Sequence, residues 1–229
     1  MQLEDKYGAH NYHPIPVVLT RGEGVHVWDV EDNRYYDFLS AYSAVNQGHC
    51  HPRIIAALKE QAEVLTLTSR AFYNDRLGLF EKFITGYFGY EKVLPMNTGA
   101  EAVETALKLC KKWAYTIKGV PRYEAKIIFA AQNFHGRTMA AISASVDPDA
   151  TADYGPFVPG YQIIPYNDLD ALRSALEDPN VAGFIVEPIQ GEAGVFVPDE
   201  NYLPEAYRLC KAANVLFIAD EVQTGIART

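Results

Sequence analysis

The chain has 229 residues, of which 48% are hydrophobic and 21% are charged, and its formal net charge is −9. These values are ordinary for a globular protein of one large domain, or of one domain with a smaller lobe. The acidic balance argues against electrostatic binding of nucleic acid, and no apolar run reaches the roughly 18 residues that span a bilayer.

The first fifty residues predict a small β-type segment. Two short runs typical of strands, GVHVWDV at 24–30 and RYYDFL at 34–39, flank the polar turn Glu31-Asp32-Asn33. Runs of this kind on either side of a polar turn predict a β-hairpin.

From Pro52 onward, amphipathic helices alternate with short apolar strands. Helical spacing predicts a first helix with one face formed by Ile54, Ile55, Leu58, Ala62 and Leu65, and a second marked by Leu77, Phe80, Ile84 and Phe88. The run 93–97 predicts a strand before a long helix from near Gly99, whose buried side carries Val103, Ala106, Cys110, Ala114 and Ile117. Further strands are predicted within 125–131, 161–166, 181–187 and 214–221, and further helices over 168–177 and 202–213.

Short apolar strands between helices predict an α/β fold with a mostly parallel sheet covered by helices on both faces. Ligands of such sheets lie at the carboxyl ends of the strands. The polar residues that follow the apolar runs are therefore the candidate site residues: Asn97 to Gly99, Asn133 to Arg137, Glu187, Asp220, Glu221 and Gln223.

The stretch NTGAEAVETALK opens the long helix with small residues at Thr98, Gly99 and Ala100. Free backbone N–H groups and the positive end of the helix dipole make this a natural phosphate site. The alternative is a plain strand-to-helix turn with Thr98 as the N-cap. The motif alone leaves both interpretations open.

The stretch NFHGRT places Phe134, His135 and Arg137 within four residues at a strand end. Phe134 could stack on a flat ring, and Arg137 could bind a carboxylate through two hydrogen bonds. The alternative is a loop with a packed phenylalanine and a solvated arginine.

The acids Asp220 and Glu221 follow the apolar run VLFIA. Such a pair is also typical of the magnesium-binding strand of a nucleotide triphosphatase, but that site requires a loop ending in Gly-Lys-Ser/Thr. No glycine of this chain is followed by lysine. The stretch GEGVHV at 22–27 likewise lacks the third glycine of a dinucleotide-binding fingerprint.

The histidines and cysteines predict neither a metal site nor a disulfide framework. His49, Cys50 and His51 in GHCHP are adjacent, without a second ligand pair, and the three cysteines are far apart. The N-terminus has no signal-peptide or transit-peptide character, so we expect a cytoplasmic protein.

The strand-end residues together suit one kind of ligand. A phosphate cradle, a stacking aromatic ring, a carboxylate clamp and a buried aspartate fit a phosphorylated aromatic heterocycle with a basic ring nitrogen. Pyridoxal 5′-phosphate has this chemistry, because a carboxylate beside its ring nitrogen keeps that nitrogen protonated and makes the ring an electron sink.

The motifs also carry a family resemblance. The chain resembles the class III (ω-amino acid) aminotransferases of fold type I over essentially its whole length, through VLPMNTGAEAVETALK, NFHGRT, YGPFVPG, VEPIQGEAGV and VLFIADEVQTG. The stretches NYHP and SAYSAVNQGHCHP resemble the ornithine branch of that family. The resemblance implies that residues 1–50 belong to a small α+β lobe, and that residues 51–229 form an incomplete cofactor-binding large domain.

The resemblance also implies roles for individual residues. Cofactor binding would involve Thr98, Gly99, Ala100, Phe134, His135, Glu187, Asp220 and Gln223. Gly99 and Ala100 would hold the phosphate, Asp220 would pair with the ring nitrogen, and Gln223 would contact the phenolic oxygen. Substrate binding would involve Tyr12, Tyr42, Arg137 and Glu192, the last as the glutamate that masks an arginine later in the chain. Histidine at 135 departs from the tryptophan of some members of the ornithine branch.

The implied reaction transfers the terminal amino group of L-ornithine to 2-oxoglutarate, in a homodimer or higher homo-oligomer. The family's Schiff-base lysine follows the aspartate, whereas the last lysine here is Lys211. We therefore expect a chain truncated before that lysine, without catalytic residues and without turnover by itself. The alternatives are another ω-aminotransferase, acting on acetylornithine or 4-aminobutyrate, and a non-catalytic cofactor-binding module.

Overall fold

The computed structural model describes all residues from Met1 to Thr229, and these form two compact units, Met1–Val93 and Leu94–Thr229. The predicted assignment of residues 1–50 to a small lobe and 51–229 to a large domain concerns the whole protein and stays a prediction.

The first unit contains an antiparallel sheet and three helices. The sheet has the order β1-β2-β3, with the strands Leu19–Glu23, His26–Asp29 and Arg34–Tyr36. The helices are α1 (Gln2–Tyr7), α2 (Pro52–Ala62) and α3 (Leu77–Phe88). The predicted hairpin and the two predicted helices of this region are therefore confirmed, except that α2 ends before Leu65, which was predicted to lie on its face.

The hairpin turn between β2 and β3 is organised by the carboxylate of Asp29. It accepts hydrogen bonds from the N–H groups of Glu31 and Asn33, from the Asn33 amide and, at 2.7 Å, from the Tyr35 hydroxyl. These bonds, that of Tyr35 above all, lower the pKa of Asp29 to about 2. The polar turn predicted at 31–33 is thus closed by Asp29, the last residue of β2.

The second unit is an α/β sandwich around a parallel sheet of order β5-β4-β6-β7. Its strands are β4 (Lys126–Ala130), β5 (Tyr161–Ile164), β6 (Val181–Val186) and β7 (Leu216–Ala219). Its helices are α4 (Gly99–Trp113), α5 (Met139–Ile142), α6 (Pro148–Thr151), α7 (Leu169–Ala175) and α8 (Tyr202–Ala212). The four apolar runs predicted as strands, and the α/β fold with a parallel sheet, are confirmed.

Both faces of this sheet are buried. Along β4, Ile128 faces a cluster that includes Leu172, Phe184 and Tyr202, while Ile127 and Phe129 belong to a second cluster with residues of α4. The absence of a side chain at Gly183 lets α4 pack closely, because a Cβ there would lie 2.6 Å from Cys110 Sγ. Alternating side chains of one strand therefore supply two cores, as expected for a parallel sheet covered on both faces.

Two sequence predictions in this region are wrong. Residues 93–97 form no strand, because no other strand of the chain hydrogen-bonds to them. Ile117 is 73% exposed rather than buried, because α4 continues into a π-helical turn over Ala114–Lys118. The wider turn rotates Ile117 away from the face that carries Val103 and Cys110.

Candidate functional site

Three loops meet the start of α4 at the carboxyl end of the parallel sheet. They follow β4, β6 and β7, and together with α4 they line a cavity of about 80 Å³. The predicted residues that line it are Gly99, Ala100, Phe134, His135, Glu187, Asp220 and Gln223. The structure therefore brings together seven of the eight residues predicted to bind a cofactor, and the eighth, Thr98, directly precedes them.

The first turn of α4 has two backbone donors without a partner in the chain. Thr98 is the N-cap: its hydroxyl accepts the Glu101 N–H at 3.1 Å, and the Glu101 carboxylate accepts the N–H groups of Asn97 and Thr98 at 2.8 and 3.2 Å. The N–H groups of Gly99 and Ala100 lie between these bonds and are not used by them. The N-cap role of Thr98 is thus confirmed, although no strand precedes the turn, and the cap leaves available the donors that a phosphate requires.

Replacing Thr98 by alanine is expected to lower the free energy of unfolding by about 1 kcal/mol, because the capping hydroxyl is lost. Urea denaturation of the chain measures this difference. Lys108→Ala, at an exposed position in the interior of the same helix, is the control and should change the free energy of unfolding by less than about 0.5 kcal/mol. Equal destabilisation by both changes would show that the Thr98 cap contributes nothing specific.

His135 and Asp220 form a buried pair. His135 Nδ1 lies 2.6 Å from Asp220 Oδ2, and the two side chains are 0% and 4% exposed. With the aspartate as acceptor, Nδ1–H of His135 is the donor. The second carboxylate oxygen of Asp220 accepts the Val222 N–H at 3.1 Å. His135 thus fixes the orientation of Asp220, a contact that the sequence did not reveal.

Glu187 is a buried carboxylic acid beside this pair. Its side chain accepts the Phe134 N–H at 2.9 Å, which ties the loop after β4 to the end of β6. Burial raises the pKa of Glu187 to about 7, against the lowering effects of the Phe134 N–H and of His135. The Phe134 side chain itself lines the cavity and stays 39% exposed.

Gln223 and Glu192 contact each other at the edge of the site. Gln223 Nε2 donates to Glu192 Oε1 at 3.0 Å. Gly191 permits this approach, because a Cβ at that position would lie 2.2 Å from Gln223 Oε1. Glu192 and Arg137 both line a second, larger cavity of about 730 Å³.

Two buried polar residues near the site were given no role by the sequence: Gln190, which was not a candidate, and Asn133, which was one of the strand-end candidates. Gln190 is fully buried and donates from Nε2 to the Ala131 carbonyl at 2.8 Å. Asn133 donates from Nδ2 to the carbonyls of Ala130 and Ala144. Both residues follow apolar strands, and this position is the sequence feature that could have marked them as part of the site.

The remaining predicted residues, Tyr12 and Tyr42, belong to the unit of residues 1–93. They are 53% and 55% exposed.

Comparison with known proteins places these motifs in a family. A model of the family "Aminotransferase class-III" matches residues 7–229. The mitochondrial ornithine aminotransferase of Rattus norvegicus is 64% identical over 228 residues, which are 100% of this chain and 52% of that protein. An ornithine aminotransferase of Plasmodium falciparum is 61% identical over 229 residues, 55% of its own length.

Solved structures agree with these sequence matches. An ornithine aminotransferase from Toxoplasma gondii superposes with a TM-score of 0.98 at 54% identity, over 100% of this chain and 54% of that one. An acetylornithine aminotransferase from Elizabethkingia anophelis superposes with a TM-score of 0.85 at 58% identity, over 100% and 54%. The chain therefore spans about half the length of the relatives it matches. None of its helices is both long enough and apolar enough to cross a membrane.

Proposed function

This chain belongs to the class-III aminotransferase family, and on that premise we propose that the whole protein is a pyridoxal-phosphate-dependent ornithine aminotransferase. It would transfer the terminal amino group of L-ornithine to 2-oxoglutarate, giving glutamate 5-semialdehyde and glutamate. The observation that carries the proposal is the buried carboxylate of Asp220, which shares one cavity with the first turn of α4 and with the ring of Phe134.

The residues of this cavity fit pyridoxal phosphate. The N–H groups of Gly99 and Ala100, next to Thr98, would bind the phosphate, and the exposed part of the Phe134 ring would stack on the pyridine. A carboxylate has about four acceptor positions, and Asp220 uses two of them, for His135 and Val222. Its remaining capacity suits the protonated ring nitrogen.

When bound, pyridoxal phosphate supplies an electron sink for the carbon that gains or loses the amino group. The residues of this chain would sustain that chemistry by binding and orientation. Asp220 would hold the proton on the ring nitrogen, and His135 would keep the Asp220 carboxylate in place. Gln223 would donate a hydrogen bond to the phenolic oxygen, and Glu187 would keep Phe134 in position through its backbone N–H.

Four residues are proposed to bind the substrates. Tyr12 and Tyr42 would shape the pocket of the amino donor, and Arg137 would bind a substrate carboxylate. Glu192 would mask an arginine of the whole protein, so that one pocket accepts both ornithine and a dicarboxylic keto acid. The hydrogen bond from Gln223 to Glu192 shows that Glu192 has a polar partner within this chain as well.

We further propose that the whole protein forms a homodimer or higher homo-oligomer and lies in the cytoplasm. The relative from Rattus norvegicus is named a mitochondrial protein, so the cytoplasmic location is proposed and tested separately from the activity. Light scattering of the purified whole protein tests its oligomeric state. Fractionation of cells that produce it tests its compartment.

Amino transfer by the purified whole protein tests the proposed function. We expect consumption of L-ornithine and 2-oxoglutarate in equal amounts, with formation of glutamate. Acetylornithine is the second candidate donor, because the 58% identical structure from Elizabethkingia anophelis is named an acetylornithine aminotransferase. A panel that also contains 4-aminobutyrate decides between them, and preference for another donor would overturn the ornithine proposal.

A further inference from the structure

The turn that carries Tyr42 has an unusual backbone. Ser40, Ala41, Tyr42 and Ser43 are consecutive non-glycine residues with φ values of 49°, 49°, 54° and 75°. The left-handed region is unfavourable for residues with a Cβ, and such residues occur there singly rather than in a run. A turn of this kind persists only where its surroundings hold it in place.

Asp37 holds the start of this turn. One of its carboxylate oxygens accepts the N–H groups of Leu39 and Ser40 at 3.1 and 2.8 Å. The turn then closes on itself, since the Val45 N–H donates to the Ser40 carbonyl at 2.9 Å. The Ser40 N–H first, and the His49 side chain second, lower the pKa of Asp37.

His49 holds Asp37 from the other side. Its Nε2 lies 2.7 Å from the second carboxylate oxygen of Asp37, and the side chains of His49 and Asp37 are 27% and 18% exposed. The His49 backbone is fixed by reciprocal hydrogen bonds with Gly24, at 2.8 and 3.0 Å. The ring fits only because residue 22 is glycine: a Cβ there would lie 2.7 Å from His49 Cγ.

We propose that Asp37 and His49 are positioning residues, which hold the left-handed turn 40–43 and thereby place Tyr42 for the amino donor. The inference rests on the proposed function, because it assumes that Tyr42 shapes the donor pocket. The chain of contacts runs from Gly22 to His49, from His49 to Asp37, and from Asp37 to the backbone of the turn. Neither Asp37 nor His49 has to touch the substrate.

Two variants of the whole protein interrupt this series of contacts at different points. Asp37→Asn removes the charged acceptor of His49, and Gly22→Ala displaces the His49 ring without changing residue 37 or residue 49. We expect each to raise the KM for L-ornithine about tenfold, the equivalent of one lost hydrogen bond, with kcat within about twofold of the wild type. Asp32→Asn, an exposed acid of the same unit, is the matched control and should change neither constant.

A double variant separates positioning from general damage. In a Tyr42→Ala background, Asp37→Asn should leave the KM for ornithine unchanged, because residues that act through one another are not additive. Hydrogen exchange of the Val45 N–H, measured without substrate, should become at least about tenfold faster in Asp37→Asn and Gly22→Ala but not in Asp32→Asn.

The outcomes distinguish the two proposals. A wild-type protein that transfers no amino group from ornithine overturns the proposed function. Normal wild-type turnover, with an unchanged KM or unchanged Val45 exchange in Asp37→Asn, overturns the positioning role alone. An equal rise in KM with and without the Tyr42 side chain also overturns it.

Discussion

Asp220→Asn is expected to reduce the kcat of amino transfer by the whole protein about 100- to 1,000-fold. Asparagine has nearly the same shape, and its carbonyl can still accept the Val222 N–H. It lacks the negative charge that would keep the ring nitrogen of the cofactor protonated. Loss of one preorganised electrostatic contact in a buried site typically costs a factor of this size. Steady-state kinetics with L-ornithine and 2-oxoglutarate measure it.

Glu221→Gln is the matched control for Asp220→Asn. Glu221 is the next residue, it is exposed, and its carboxylate accepts the Thr224 hydroxyl rather than facing the cavity. Its replacement removes the same charge from the same turn, and we expect kcat to change by no more than about twofold. If both variants lose activity equally, the role of Asp220 beside the ring nitrogen is wrong.

The position of Asp220 depends on the strand order as well as on the strand itself. Its contact with His135 joins residues 85 positions apart, and β6 lies between the two strands they follow. Apolar runs predict that β4, β6 and β7 exist, because buried strands require such runs. The runs do not determine the order of the strands in the sheet. The meeting of the three loops after β4, β6 and β7 was therefore predictable only from the general rule that ligands of parallel sheets lie at the carboxyl ends of the strands.

Two local predictions failed because the sequence pattern does not show whether a strand has a neighbouring strand or whether a helix keeps its regular period. The run at 93–97 has a strand-like composition, but a strand also requires a neighbour with which to exchange backbone hydrogen bonds. Ile117 follows the helical period of Val103 and Cys110 until the π-helical turn breaks it. The left-handed turn at 40–43 contains no glycine, so no residue type in the sequence predicts its positive φ values.

Glu187→Gln is expected to stabilise the ligand-free chain at pH 8 by as much as about 3 kcal/mol. The pKa of Glu187 is raised from 4.5 to about 7, and each unit corresponds to about 1.4 kcal/mol. Below pH 4.5 both the folded and the unfolded states hold the proton. Between pH 4.5 and about 7 the unfolded state releases it first, so the free energy of unfolding falls as the pH rises, and above that it stays at the lower value.

Urea denaturation of the wild type and the variant across pH 4 to 8 measures this difference. Glutamine keeps an acceptor for the Phe134 N–H but does not titrate, so the two proteins should be equally stable at pH 4 and diverge towards pH 8. Glu177→Gln, an exposed acid, is the control and should show no pH-dependent difference. A Glu187→Gln variant that is less stable at pH 8 would mean that the ionised carboxylate is favourable there. The loop of Phe134 would then be held by charge, and the raised pKa would be wrong. The expected result instead means that Glu187 lowers stability in the free chain, as is common for residues kept for a function in a binding site.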